Sequence, residues 1–209
     1  KEDLEPRLEV FESADLPPAY MDVDLFAKAN AFNYWINQHA PELEDEKIAV
    51  IEIGDSQMQA IVTQNGQILY KQETAVSNDQ LIQLIQRTYQ VSEDQAEAMK
   101  NTQNKPADYQ SQIADRFNIQ VAQEVQRVLQ FYYTTQPSDQ FSSVRHVFLT
   151  GSASQQIGLA ETVFSQTNTA SQCVNPITYT DNGNSVDLSQ LQQDAASLTI
   201  AFGLALRGL

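Results

Sequence analysis

The chain is short of cations, of cysteine and of long apolar runs. Lys and Arg number 12 against 27 Asp and Glu in 209 residues, a formal net charge of −15. A surface with no cluster of basic side chains cannot release counterions from a phosphate backbone, which excludes nucleic acid as a partner. The acidic excess suits solvation, or a partner segment that carries Arg or Lys. Cys173 is the single cysteine, so no intrachain disulfide can form and a reducing compartment is expected. No stretch reads as a signal peptide, and no apolar run approaches the ~18 residues that a spanning helix needs, so no direct membrane insertion is expected. His39 and His146 have no metal-ligand spacing, and His146, beside a strand, reads as structural. Neither a G-x-S-x-G nor a local Cys/His signature occurs, so hydrolase chemistry has no support.

What is present is a globular chain. Apolar residues make up 42% and charged residues 19%, and the length suffices for one large domain or two small ones. The opening KEDLEPRLEVFESA reads as a helix rather than a beginning, and predicts a fragment or trimmed C-terminal portion of something longer. Leu4, Leu8 and Phe11 give residues 3–14 an amphipathic helical spacing, Pro17-Pro18 stops it, and 19–23 reads as a brief strand. Asp24 is placed to cap a second helix with Phe26, Ala29, Phe32 (or Asn33) and Ile36 inward. The acidic stretch 42–46 reads as a solvated boundary between two lobes. From Lys47 a three-stranded antiparallel meander is predicted, with the run Ile48, Val50, Ile51, Ile53 as a strand buried on both faces and Asn65-Gly66 as the hairpin turn. Asn78 or Asp79 then caps a helix, and Ser92 with Gln95 forms a capping box for the next. A long helix follows, with Ile113, Phe117, Val121, Val125, Val128 and Tyr132 inward, ending at Pro137. Residues 144–150 read as a buried strand, 157–165 as a helix, Cys173-Val174 as an edge strand, 171–191 otherwise as loop, and 194–207 as a terminal helix whose small residues permit close packing. A meander followed by helix-separated strands describes an α/β layer on a mixed sheet.

Three constellations carry possible chemistry. At Glu52-Ile53-Gly54-Asp55-Ser56, Gly54 lets a phosphate approach backbone N–H groups, Ser56 offers a hydroxyl and Glu52 can orient a metal-bound water. Asp55 opposes such a site, since a carboxylate a few Å from a polyphosphate repels it by roughly 1–4 kcal/mol per charge pair. Glu97 and Lys100 share a helix face, where they can accept from ribose hydroxyls and flank an adenine, or simply form an exposed ion pair. Gly151, followed by Ser152, lets the backbone turn tightly against a flat ring, or only punctuates a strand.

Taken in order, IEIGDSQMQAIV with its hairpin, QRTYQVSEDQAEAMKN, VFLTGSASQQIGL and the ending SLTIAFGLALRGL resemble the C-terminal two-thirds of the PilM family, with MDVDLFAKANAF matching the approach to its second lobe. These are the actin-like, FtsA-related proteins of the type IV pilus inner-membrane platform. The resemblance implies an actin/Hsp70-like ATPase fold with a ribonuclease H-like lobe, and ATP with magnesium between two lobes. Residues 1–41 would be a remnant of the first lobe and its inserted subdomain. Residues 42–209 would be the second lobe, its C-terminal helix returning toward the first. Gly54 and Ser56 would lie in the second phosphate loop, Glu97 and Lys100 at ribose and adenine, and Gly151 with Ser152 at the adenosine loop.

The family implies a cytoplasmic scaffold, peripheral at the inner membrane, that captures the short, apolar, Arg-bearing N-terminal tail of PilN among other platform proteins. Its groove would involve the subdomain that supplies the helix at 3–14. Glu52 stands where the family has Asp, Asp55, Gln57 and Met58 where it has small or hydroxyl residues, and Ser152 where it has a second Gly. The first phosphate loop is absent from these residues. A non-catalytic or weak ATP binder is therefore expected, with an active ATPase or phosphotransferase and an FtsA-like polymer former as rivals on the same fold.

Overall fold

Strand β1 (Ile48–Ile53) organises the molecule because its side chains are apolar toward both faces. In the computed structural model, which describes residues 4–18, 20–135, 143–179, 187, 191 and 195–208, β1 lies at the middle of a five-stranded sheet. It pairs antiparallel with β2 (Met58–Gln64), which pairs antiparallel with β3 (Gln67–Thr74) across the Asn65-Gly66 turn. Both turn residues have positive φ, 50° and 72°, the conformation that Asn and Gly accept most readily. On its other edge β1 pairs in parallel with β4 (His146–Thr150), and β4 with the edge strand β5 (Ala170–Cys173), giving the order β3-β2-β1-β4-β5.

Strand periodicity assigns β1 to two cores. Ala49, Ile51 and Ile53 face one side, packed with Phe117, Val121, Val125 and Val128. Ile48 and Val50 face the other, packed with Phe32, Trp35, Ile36 and Phe148. The first core is covered by α3 (Asn78–Tyr89), α5 (Asp115–Thr135) and α6 (Leu159–Thr167), with α4 (Glu93–Asn101) beside α3. The second is covered by α2 (Asp24–His39), against which α7 (Thr199–Ala205) packs. Glu52 is thus the next β1 residue after Ile48 and Val50 to point toward α2.

Local signals fare unevenly. The Ser92–Gln95 capping box forms as expected, and α5 buries the expected positions from Phe117 to Tyr132, while Ile113 is buried in a preceding π-helical turn over Gln110–Ala114 that the pattern did not announce. Residues 20–23 form no strand, and the N-cap position of α2 falls on Val23, without a side-chain capping bond, while Asp24 is its first helical residue. Ala29, Phe32 and Ile36 are buried as expected, but Phe26 is 51% exposed, and the buried face of α2 also takes in Ala27, Lys28, Ala31 and Trp35. Helix α3 is capped by Ser77, whose hydroxyl accepts from the Gln80 N–H, not by Asn78 or Asp79.

The terminal helix is broken: a 3₁₀ turn at Ala195–Leu198, then α7, then a 3₁₀ turn at Leu206–Gly208, with residue 194 outside the described residues. Pro137 and most of 180–194 also lie outside them. Helix α1 (Glu5–Ser13) forms, but buries no residue.

His146 opens β4 with its ring stacked on Phe148, centroids 4.6 Å apart. Burial lowers its pKa below the ordinary value, outweighing the opposing pull of Glu42, and its buried Nε2 has no hydrogen-bond partner among the described residues. The fold therefore prefers the neutral ring, while the unfolded chain takes up a proton near pH ~6.5. That contribution is complete above about pH 6.5 and is lost as pH falls below it. In urea denaturation, the decline in stability from about pH 7 to about pH 5 is expected to be shallower in His146→Phe than in the parent; equal slopes would refute it.

Candidate functional site

The ends of β1 and β4 run in parallel and stop side by side, so the turns that follow them face each other. After β1, the Gly54 N–H donates to the Gln57 carbonyl across a tight turn at 3.0 Å. The start of α3 holds this turn from behind, with the N–H groups of Asn78 and Asp79 donating to the carbonyls of Gly54 and Asp55, each at 2.9 Å. After β4, Gly151 adopts φ +97°, and a Cβ there would stand 2.4 Å from the Ile53 carbonyl oxygen. Ser152 then donates its hydroxyl to Asp55 Oδ1 at 2.7 Å, joining the two turns. Behind them Thr150 and Thr199 share a buried hydroxyl–hydroxyl bond of 2.9 Å, which ties the C-terminal helix to the end of β4.

An open cleft of about 220 Å³ lies over these turns. Glu52, Gly54, Ser56, Gly151 and Ser152 all line it, so five of the residues singled out in the sequence meet in space. Glu97 and Lys100 do not line it. They pair with each other at 2.9 Å and are fastened to Asn78, whose Nδ2 donates to Glu97 Oε1 at 3.1 Å and whose Oδ1 accepts from Lys100 Nζ at 2.8 Å. Asn78 thus connects the pair to the Gly54 turn through its own backbone N–H. The Lys100 side chain is only 7% exposed, so this is not the solvated ion pair that spacing alone allowed.

Sequence reasoning missed Asn78 as a linker, and it missed Lys28. The Lys28 side chain is fully buried, and its ammonium forms an ion pair with Glu52 and donates to Gln59 Oε1 at 2.8 Å. A lone cation on the apolar face of α2, opposite the one acidic residue of β1 that faces the helix, was the available signal. Leaving either charge unpaired here would cost roughly 3–5 kcal/mol.

The charge set decides what the cleft can hold. Asp24, Glu52 and Asp55 line it, and among the described residues no Lys or Arg does. The described residues contain no group of three or more metal-ligating side chains either. Glu52 is engaged by Lys28 and Asp55 by Ser152. Lys28 offsets Glu52 from behind, whereas Asp24 and Asp55 have no cation beside them in the lining, and each would repel a phosphate that arrived without its metal by roughly 1–4 kcal/mol at surface-like dielectric.

A five-stranded mixed sheet with strand-end turns converging on a cleft is the architecture of an actin-like lobe. Solved structures of that class superimpose on it. The ADP complex of Ta0583, an archaeal actin homolog, matches at TM-score 0.59 and 13% identity over 87% of this chain and 56% of its own. The ethanolamine utilization protein EutJ from Carboxydothermus hydrogenoformans matches at TM-score 0.64 and 16% identity over 94% of this chain and 58% of its own. The chain belongs to the type IV pilus assembly protein PilM family, whose model matches residues 1–209. The PilM-PilN type IV pilus biogenesis complex is similar at TM-score 0.75 and 24% identity, over 98% of this chain and 57% of that one. This chain therefore spans a little over half the length of those relatives.

Proposed function

We propose that this chain is part of a scaffold of the type IV pilus assembly platform that captures the N-terminal cytoplasmic tail of PilN, with ATP binding that biases lobe closure or is vestigial rather than catalytic. The observation that carries the reading is the family match along residues 1–209, joined to the similarity with a PilM-PilN complex. Two physical features support it. The chain is strongly acidic, which favours a partner segment bearing Arg. Large apolar side chains (Val10, Leu16, Tyr20, Met21, Val23 and Phe26) are exposed along the segment from α1 to the first turn of α2, the residue type that a partly apolar peptide covers. No helix among the described residues is long and apolar enough to cross a membrane.

The test is a titration of a fluorescent PilN tail peptide into the full-length protein. Saturable binding is expected, weakening by about tenfold or more between low and physiological salt because attraction of an Arg to an acidic surface is screened. No saturable binding, steady phosphate release with magnesium ATP, or nucleotide-dependent pelleting would overturn the reading.

A further inference from the structure

We propose that the Lys28 ammonium is the resident cation of the β1 strand end, a specificity-determining group that keeps divalent metal ions off Glu52. The geometry is built from three elements. Glu52 on β1 and Gln59 on β2 are directly opposed in the antiparallel ladder. Helix α2 lies across this face of the sheet and places Lys28 over the pair, so that one ammonium touches Glu52 Oε2 and, at 2.8 Å, Gln59 Oε1. Asp24 stands one turn earlier on α2, and the Gln59 amide nitrogen lies 3.5 Å from its Oδ2 and 3.5 Å from Glu73 Oε1. The Gln59 amide is thus oriented by charge, its oxygen toward the cation and its nitrogen toward two carboxylates.

Two carboxylates and an amide oxygen are the donor types that hard divalent cations take. Here one carboxylate, Glu52, and the Gln59 amide oxygen are already taken by a nitrogen that comes with the chain, with Asp24 close by on the far side of that amide. Lys28 is fully buried, while Glu52 and Asp24 reach the adjoining cleft, so a metal ion entering from solvent finds Glu52 neutralised from behind. An ammonium that cannot leave also differs from a metal in its effect: the pair is present at every divalent concentration. This inference rests on the ion pair alone, and stands or falls separately from tail binding.

Manganese binding tests it, read by the electron paramagnetic resonance of free Mn²⁺ and by the shift of the thermal midpoint with Mn²⁺. The full-length parent and Glu52→Gln are expected to give superimposable Mn²⁺ isotherms, because Glu52 contributes nothing. Lys28→Ala removes the cation and opens its space; it is expected to bind Mn²⁺ at least tenfold more tightly than the parent, to gain thermal stability from it, and to lose both in Lys28→Ala/Glu52→Gln. A parent that binds Mn²⁺ more tightly than Glu52→Gln overturns the proposal whether or not Lys28→Ala folds. A folded Lys28→Ala with the parent's affinity overturns it equally.

Discussion

Gly203→Ala is expected to destabilise the protein by about 3 kcal/mol, although the same change at an ordinary helix position stabilises by up to about 1 kcal/mol. The sign inverts because α7 and α2 cross with their backbones in contact. A Cβ on residue 203 would lie 1.8 Å from the Ala27 carbonyl oxygen and 2.4 Å from its carbon. Neither atom can rotate away, so the helices must move apart. Ala27 and Ala31 are fully buried on the α2 face, and their small size is what lets the helices come this close. Separation would also disturb the ring contact of Tyr34 with Phe202, the Asp22–Arg207 ion pair and the Thr150–Thr199 bond. Urea denaturation measures the effect as a fall in midpoint at unchanged slope. Ala205→Gly, on the exposed side of α7, is the control and costs only about 1 kcal/mol of helix propensity. An unchanged midpoint in Gly203→Ala would mean that α7 is not seated on α2.

Much of this fold was legible because its signals are local. The Asn65-Gly66 hairpin, the Ser92–Gln95 box and the helical period of α5 each depend on residues within a turn or two of one another. Small residues near the C-terminus announced a close helix crossing, and Gly203 makes it. The resemblance to the PilM family, carried by four ordered motifs, is matched by the family model along residues 1–209. What failed was read from patterns that tertiary contacts override. On α2 an apolar stripe starting at Phe26 fits the helical period as well as the observed face does. The true face keeps Ala29, Phe32 and Ile36 but leaves Phe26 out and takes in Lys28, which meets Glu52, a partner 24 positions further on (52 minus 28) that no periodicity reveals. Asn78 looks like a cap because Asn caps helices; Ser77 takes that role, which frees the Asn78 amide to bridge Glu97 and Lys100. The candidate site was legible as residue types and order, since five of its members line one cleft. Its charge balance was not, because that balance is set by Lys28 behind the cleft and by Ser152 across it.

The two strand-end glycines looked alike in the sequence, and the structure separates them. Gly151→Ala is expected to cost about 3 kcal/mol or more, and Gly54→Ala about 1 kcal/mol or less. At Gly151 the backbone has φ +97°, outside the range that L side chains accept, and the added Cβ would stand 2.4 Å from the Ile53 carbonyl oxygen and 2.7 Å from the Ile53 nitrogen. At Gly54 no positive φ is required, and the nearest atom to an added Cβ is the Gln57 carbonyl oxygen at 3.1 Å. The physical difference is that Gly151 is where one strand end presses on the backbone of its neighbour. Relief of that contact moves residue 151 away from β1, and Ser152 then loses its reach to Asp55 and Ala153 its bond to the Ile53 carbonyl. Asp55 would be left as a free carboxylate in a cleft already lined by Asp24 and Glu52. Gly151→Ala should therefore shift the amide resonances of residues 53–56 as well as the urea midpoint, while Gly54→Ala shifts only its own turn. Should Gly151→Ala prove no more costly than Gly54→Ala, the strand ends would not be in contact, and the joining of the two turns through Ser152 and Asp55 would fall with it.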